Sequence, residues 1–159
     1  MKYVDTLVVF REVPNEITLA INISNCPVKC PDCHSSYLTQ DIGDVLDKDS
    51  LKELIEKNPG ITCVSFMGGD AEPMTVREYA LWIKASYPEM KVCWYSGRDI
   101  KNAEPILDAL DFVKVGPYID KFGPLDKETT NQRFYKVDNA GGKPALTDWT
   151  HKFQEKLFI

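Results

Sequence analysis

The stretch Cys26-Pro27-Val28-Lys29-Cys30-Pro31-Asp32-Cys33-His34 constrains this chain more than any other. Three of its five cysteines fall there, spaced Cys-x3-Cys-x2-Cys. Thiolates so close together on a loop must converge on one centre, and soft sulfur ligands select zinc or iron–sulfur clusters. Zinc would take a tetrahedral fourth ligand, for which His34 is the candidate. That ring directly follows Cys33 and is poorly placed to close the same tetrahedron. A small zinc module is also needed chiefly where a chain lacks a core. A four-iron cluster on Cys26, Cys30 and Cys33 leaves one iron open to a further ligand. The residues favour the cluster and keep zinc as the alternative.

The 159 residues are enough to bury a core, and a single domain over 1–159 is expected. Nineteen basic against 24 acidic residues give a net charge of −5, which argues against a nucleic-acid-binding face. No basic-then-apolar leader opens the chain, and no apolar run approaches the ~20 residues of a membrane span. The expectation is a cytoplasmic protein without membrane or nucleic-acid partners. In that compartment clustered thiols bind metal or do redox work more often than they form disulfides.

The pattern of the chain predicts an α/β fold. Val4 to Val13, a turn at Pro14-Asn15-Glu16, and the alternation Ile17, Leu19, Ile21, Ile23 predict an N-terminal β-hairpin. Two spacings resemble capping boxes, Ser50 to Glu53 and Thr75 to Glu78. The first opens a helix that Asn58-Pro59-Gly60 stops. The second opens a helix with a buried stripe of Val76, Tyr79, Ala80, Ile83 and Tyr87. Further strands are expected at Ile61–Phe66, Lys91–Tyr95, Phe112–Val115 and Arg133–Val137, with a short helix near Glu104–Leu110. Strands alternating with helices imply parallel pairing through crossovers.

The cysteine loop, Gly68-Gly69-Asp70, Ser96-Gly97-Arg98-Asp99 and Gly116-Pro117-Tyr118 each follow the end of an expected strand. In barrels and open α/β sheets those C-terminal ends share one face, and ligands bind there. Cys63 and Cys93 instead sit inside apolar strands, where free cysteine packs as a small core residue.

The Cys-x3-Cys-x2-Cys loop after the first parallel strand resembles the signature of radical S-adenosylmethionine enzymes. The wider set is similar to the activating proteins of anaerobic ribonucleoside-triphosphate reductase: Cys26 to His34, Phe66 to Asp70, Trp94-Tyr95-Ser96-Gly97, Asp111 to Tyr118 and Asn131-Gln132-Arg133. The resemblance implies an abbreviated, open β/α barrel, since a closed one takes about 250 residues. It also implies two cofactors: a [4Fe-4S] cluster on Cys26, Cys30 and Cys33, and S-adenosylmethionine held at the free iron. Cofactor contacts are implied for Asp32, Cys33 and His34 at the adenine end, and for Gly68, Gly69 and Asp70 at the methionyl ammonium. The implied activity is formation of a glycyl radical on the large subunit of the reductase, with reduced flavodoxin or a similar protein as electron donor.

Two departures stand out. The chain reads Asp70-Ala71-Glu72-Pro73, where the family has proline directly after the aspartate. Val115, preceded by Lys114, stands where the family has an aspartate before the Gly-Pro pair. Two rival readings remain: another small radical enzyme with a different substrate, and a non-catalytic metal-binding or electron-transfer module.

Overall fold

The structure is a computed structural model that describes residues 1–30 and 36–155. Strands β1 (Lys2–Val9), β2 (Thr18–Ile23), β3 (Asp44–Val45), β4 (Cys63–Met67), β5 (Lys91–Tyr95), β6 (Phe112–Val115), β7 (Arg133–Asp138) and β8 (Ala145–Asp148) form one sheet. Their order is β3-β1-β2-β4-β5-β6-β7-β8. The hairpin expected from alternating apolar residues is present: β1 runs antiparallel to β2, turning through Asn15 at φ 68°. The central strands β2, β4, β5 and β6 are parallel, whereas β7 and β8 return antiparallel.

Helices α1 (Lys48–Glu56), α2 (Pro73–Ser86) and α3 (Ile100–Ala103), the last continued by a 3-10 turn at Glu104–Ala109, provide the crossovers. They cover one face of the sheet. The side chains pointing toward them make the main core: Leu19, Ile21 and Ile23 from β2, Val64 and Phe66 from β4, Trp94 from β5 and Val113 from β6. The opposite face carries a smaller cluster in which Cys63, Cys93, Phe112 and Phe134 pack under Val13 and Leu125. Among the described residues no helix is long and apolar enough to cross a membrane.

Both helix starts differ from the sequence expectation. Helix α1 is capped by Asp47, whose carboxylate accepts from the Ser50 amide at 2.9 Å, while the Asp47 amide donates to the Ser50 hydroxyl at 2.8 Å. The box therefore lies one turn earlier, with Ser50 as its third helical residue rather than its cap. Helix α2 begins at Pro73, whose fixed φ suits a first turn. Its cap, Glu72, makes no side-chain capping bond and pairs with the N-terminal ammonium at 3.3 Å. Tyr79 is only partly buried, and Tyr87 falls at the helix end. The two-residue β3 and the edge strand β8 went unread in the sequence, because neither shows an apolar alternation.

Candidate metal centre

The register of the parallel strands aligns their C-terminal ends. Asn22 lies beside Met67, Met67 beside Tyr95, and Tyr95 beside Lys114. The segments that follow therefore emerge from one edge. Strand β7 runs the other way and pairs Arg133 with Val115, so Asn131-Gln132-Arg133 arrives at that same edge.

The cysteine loop starts three residues past β2. Its base is closed by the Asn25 amide donating to the Gln40 carbonyl at 2.9 Å and the Cys26 amide donating to Leu38 at 2.8 Å. Asn25 and Lys29 adopt left-handed backbone, φ 61° and 49°, which turns the chain sharply on either side of Cys26-Pro27-Val28. Cys26 and Cys30 are free and partly exposed. Val28 sits against the β5 loop: a Cβ on Gly97 would come within 3.1 Å of a Val28 methyl. Cys33, Asp32 and His34 lie outside the described residues.

Cys63 and Cys93 contrast sharply with these thiols. Both are fully buried, and burial pushes Cys93 up to about 12 and Cys63 well above its ordinary value. Enclosed among Val13, Phe112, Leu125 and Phe134, away from the cysteine loop, these two pack as small core residues. The donor chemistry at the sheet edge fits an iron–sulfur centre: Cys26 and Cys30 would hold it from the described part of the loop.

The Gly68-Gly69-Asp70 segment is built to be close-packed. Gly69 has φ +100°, and a Cβ there would lie 2.8 Å from a Val76 methyl. The Gly68 carbonyl accepts from the Trp94 indole at 2.8 Å. Asp70 is 4% exposed and bridges to the next loop. One carboxylate oxygen accepts from the Ser96 hydroxyl at 2.5 Å, the other from the Gly97 amide at 2.9 Å. Asp70 thus ties the β4 loop to the loop that supports Val28, while each oxygen retains a further lone pair.

Ser96 continues the chain of contacts. Its amide donates to the Lys114 carbonyl at 2.8 Å, and its own carbonyl accepts from Lys114 Nζ at 3.3 Å. The same ammonium donates to the Gly116 carbonyl at 2.9 Å and lies 5.9 Å from the centre of the Tyr95 ring. Tyr95 donates its hydroxyl to the Glu12 carbonyl, and burial raises its phenol well above the ordinary value. Gln132 Nε2 reaches Gly116 at 3.4 Å and Asn131 Nδ2 reaches the Pro117 carbonyl at 3.1 Å. Asn131-Gln132 therefore laces the β6 loop to the start of β7, a role that spacing alone does not reveal. Sequence reasoning passed over Lys114 as a site residue. Its signal was a lysine in the otherwise apolar run Phe112-Val113-Lys114-Val115.

Residues 17–137 match the family model described as a 4Fe-4S single cluster domain, which spans most of the chain. No curated protein and no solved structure matches it. The chain belongs to the 4Fe-4S single cluster domain family.

Proposed function

We propose that this 4Fe-4S single-cluster protein is a radical S-adenosylmethionine enzyme that installs a glycyl radical on anaerobic ribonucleoside-triphosphate reductase. In this reading its sheet is an abbreviated, open β/α barrel, and Cys26, Cys30 and Cys33 hold the cluster. The observation that carries the reading is the convergence of the cysteine loop, Gly68-Gly69-Asp70 and Ser96-Gly97 on one edge, locked by Asp70. Cys26, Cys30 and Cys33 would hold the cluster, which when bound and reduced would supply one electron for reductive cleavage of S-adenosylmethionine.

The chain's own residues do the positioning. Gly68 and Gly69 pack against Ile23 and Val76, where a Cβ would not fit, and so hold the β4 loop at the edge assigned to the cofactor's amino-acid end. The clasp of Asp70 on Ser96 and Gly97 fixes the platform on which Val28, and with it the cysteine loop, rests. Asp32 and His34 are assigned to the adenine end. An open sheet edge leaves room for a loop of a partner protein, and a low-potential donor such as reduced flavodoxin would deliver the electron.

The test is anaerobic. The protein is reconstituted with iron and sulfide, reduced with dithionite, and assayed for 5′-deoxyadenosine after addition of S-adenosylmethionine. Formation of product, with a glycyl radical signal on added reductase, supports the proposal. Product without that signal points to another substrate. A full cluster with no cleavage rejects radical chemistry in favour of a binding or electron-transfer module.

A further inference from the structure

The two edges of the sheet are finished differently. At one, β8 is only four residues long, exposed throughout and preceded by Pro144, features that discourage pairing with another strand. At the other, β1 is covered by β3 only at Lys2 and Tyr3. Among the described residues no backbone hydrogen bond reaches the outer side of Asp5–Val9. The run Asp5-Thr6-Leu7-Val8-Val9 holds no proline, glycine or lysine to blunt it. An open, apolar edge of this kind is a template for a further strand.

The side chains mark the same place. Leu7 is 64% exposed, and Phe10, just past the strand, is 67% exposed. Val8 pairs with Leu19 and packs on the helix-covered core, so Asp5, Leu7 and Val9 lie on the helix-free face. Asp5 accepts a hydrogen bond from Asn22 Nδ2 at 2.7 Å. Among the described residues neither Asp5 nor Arg11 has an oppositely charged partner.

We propose that β1 is the interface of a two-fold dimer, in which it pairs antiparallel with β1 of a second copy about Leu7. The edge is its own complement. Leu7 meets Leu7, Thr6 meets Val8, and Asp5 meets Val9. Arg11, two residues past Val9, falls diagonal to Asp5 of the second copy, within reach of a long side chain. A two-fold axis closes on itself, joins the two sheets into one and leaves no β1 edge open. Antiparallel pairing also turns the C-terminal edges of the two sheets in opposite directions, so the two cysteine loops lie at opposite ends.

Sedimentation equilibrium of the iron-loaded full chain, run anaerobically over a range of concentrations, measures the dimer constant. Hydrogen exchange at low and high concentration locates the amides that pairing protects. Wild type should dimerise, and protection of Asp5–Val9 should rise with concentration. Leu7→Lys sets two like charges on the axis and removes apolar contact, and should raise the dissociation constant on the order of 100-fold. Arg11→Glu sets a second acid beside Asp5 at both ends of the pairing, and should raise it on the order of 10-fold. Asp5→Arg combined with Arg11→Glu should restore most of that loss. Iron content and thermal unfolding check that each variant is folded. A chain that stays monomeric at every concentration overturns the proposal. So does a dimer indifferent to Leu7→Lys, or a loss in Arg11→Glu that the double reversal leaves in place. Protection of Asp5–Val9 that appears only with added reductase gives the edge to a partner's strand, and overturns it too.

Discussion

The two ends of the parallel sheet carry the same three kinds of side chain arranged to opposite effect. At the N-terminal end, Glu16, Thr62 and Lys91 meet where β2, β4 and β5 begin. Glu16 accepts from the Thr62 hydroxyl at 2.6 Å and from Lys91 Nζ at 2.5 Å. At the C-terminal end, Asp70, Ser96 and Lys114 repeat the acid, hydroxyl and lysine, but there the lysine bonds to the carbonyls of Ser96 and Gly116. The lower trio neutralises itself, and the hydrogen bond to Glu16 raises Lys91 above its ordinary value. A groove of about 630 Å³ opens beside it, lined by Glu16, Thr62, Tyr87, Glu89, Met90 and Lys91, in which Glu16 and Lys91 are spent on each other. The upper trio keeps acid and base apart across a serine, with backbone turned to positive φ on both sides at Gly69 and Gly116.

The largest effect that separates the two ends concerns their thiols. Cys26→Ala or Cys30→Ala should abolish iron binding after anaerobic reconstitution, and Cys33→Ala should do the same. Cys63→Ala, at the lower end of β4, should retain the full iron content. Iron analysis and the cluster's visible absorbance decide the matter. Iron that survives Cys30→Ala and disappears with Cys63→Ala would reverse the ligand assignment.

Next come the two acids. Asp70→Ala removes the acceptor from a buried hydroxyl and a part-buried amide, and should cost about 2–6 kcal/mol, taking each stranded group at about 1–3 kcal/mol. It should also weaken S-adenosylmethionine binding while the cluster stays in place. Glu16→Gln keeps an acceptor for Thr62 and loses only the pair with Lys91. That lysine is half exposed, so solvent screening limits the loss to about 1 kcal/mol, and cofactor binding should not change. Denaturant unfolding and ligand binding on the same preparations give both readouts. If Glu16→Gln weakens binding as much as Asp70→Ala, the functional asymmetry of the two ends is wrong.

Much of this architecture was legible in the sequence because period and punctuation are local signals. The apolar alternation of Leu19, Ile21 and Ile23, and the compact runs at Lys91–Tyr95 and Phe112–Val115, lie in strands where expected. Glycines closing strands marked the edge where the loops converge. What sequence could not show was pairing across distance. Asp70 read as a free acceptor, yet it bonds to Ser96 and Gly97, and no spacing rule links positions so far apart. Asn131 and Gln132 had no assignable task until β7 proved antiparallel and brought them to Gly116-Pro117. The capping boxes failed for a different reason. Ser50 and Thr75 fit the pattern, but Asp47 and Pro73 are the stronger starts a turn earlier.

The smallest predicted effect is a slope. A thiol held neutral by burial stabilises the fold fully below the ordinary cysteine value. It loses that contribution as pH rises, because the unfolded chain sheds the proton first. For Cys93 the window runs from its ordinary 9.0 to about 12. Within it each pH unit costs about 1.4 kcal/mol. Cys63 and Tyr95 shift in the same direction, and Lys91 adds to the alkaline loss above its ordinary 10.5, so wild type should lose stability steeply above pH 9. Cys93→Ala removes one of these groups. It should begin less stable at pH 8, by about 1 kcal/mol for the small void, and then fall less steeply, so that the two curves converge by about pH 10. Parallel curves would mean that the Cys93 thiol titrates in the fold as it does in water. The contrast between the buried thiols of the strands and the part-exposed thiols of the cysteine loop would then rest on burial alone.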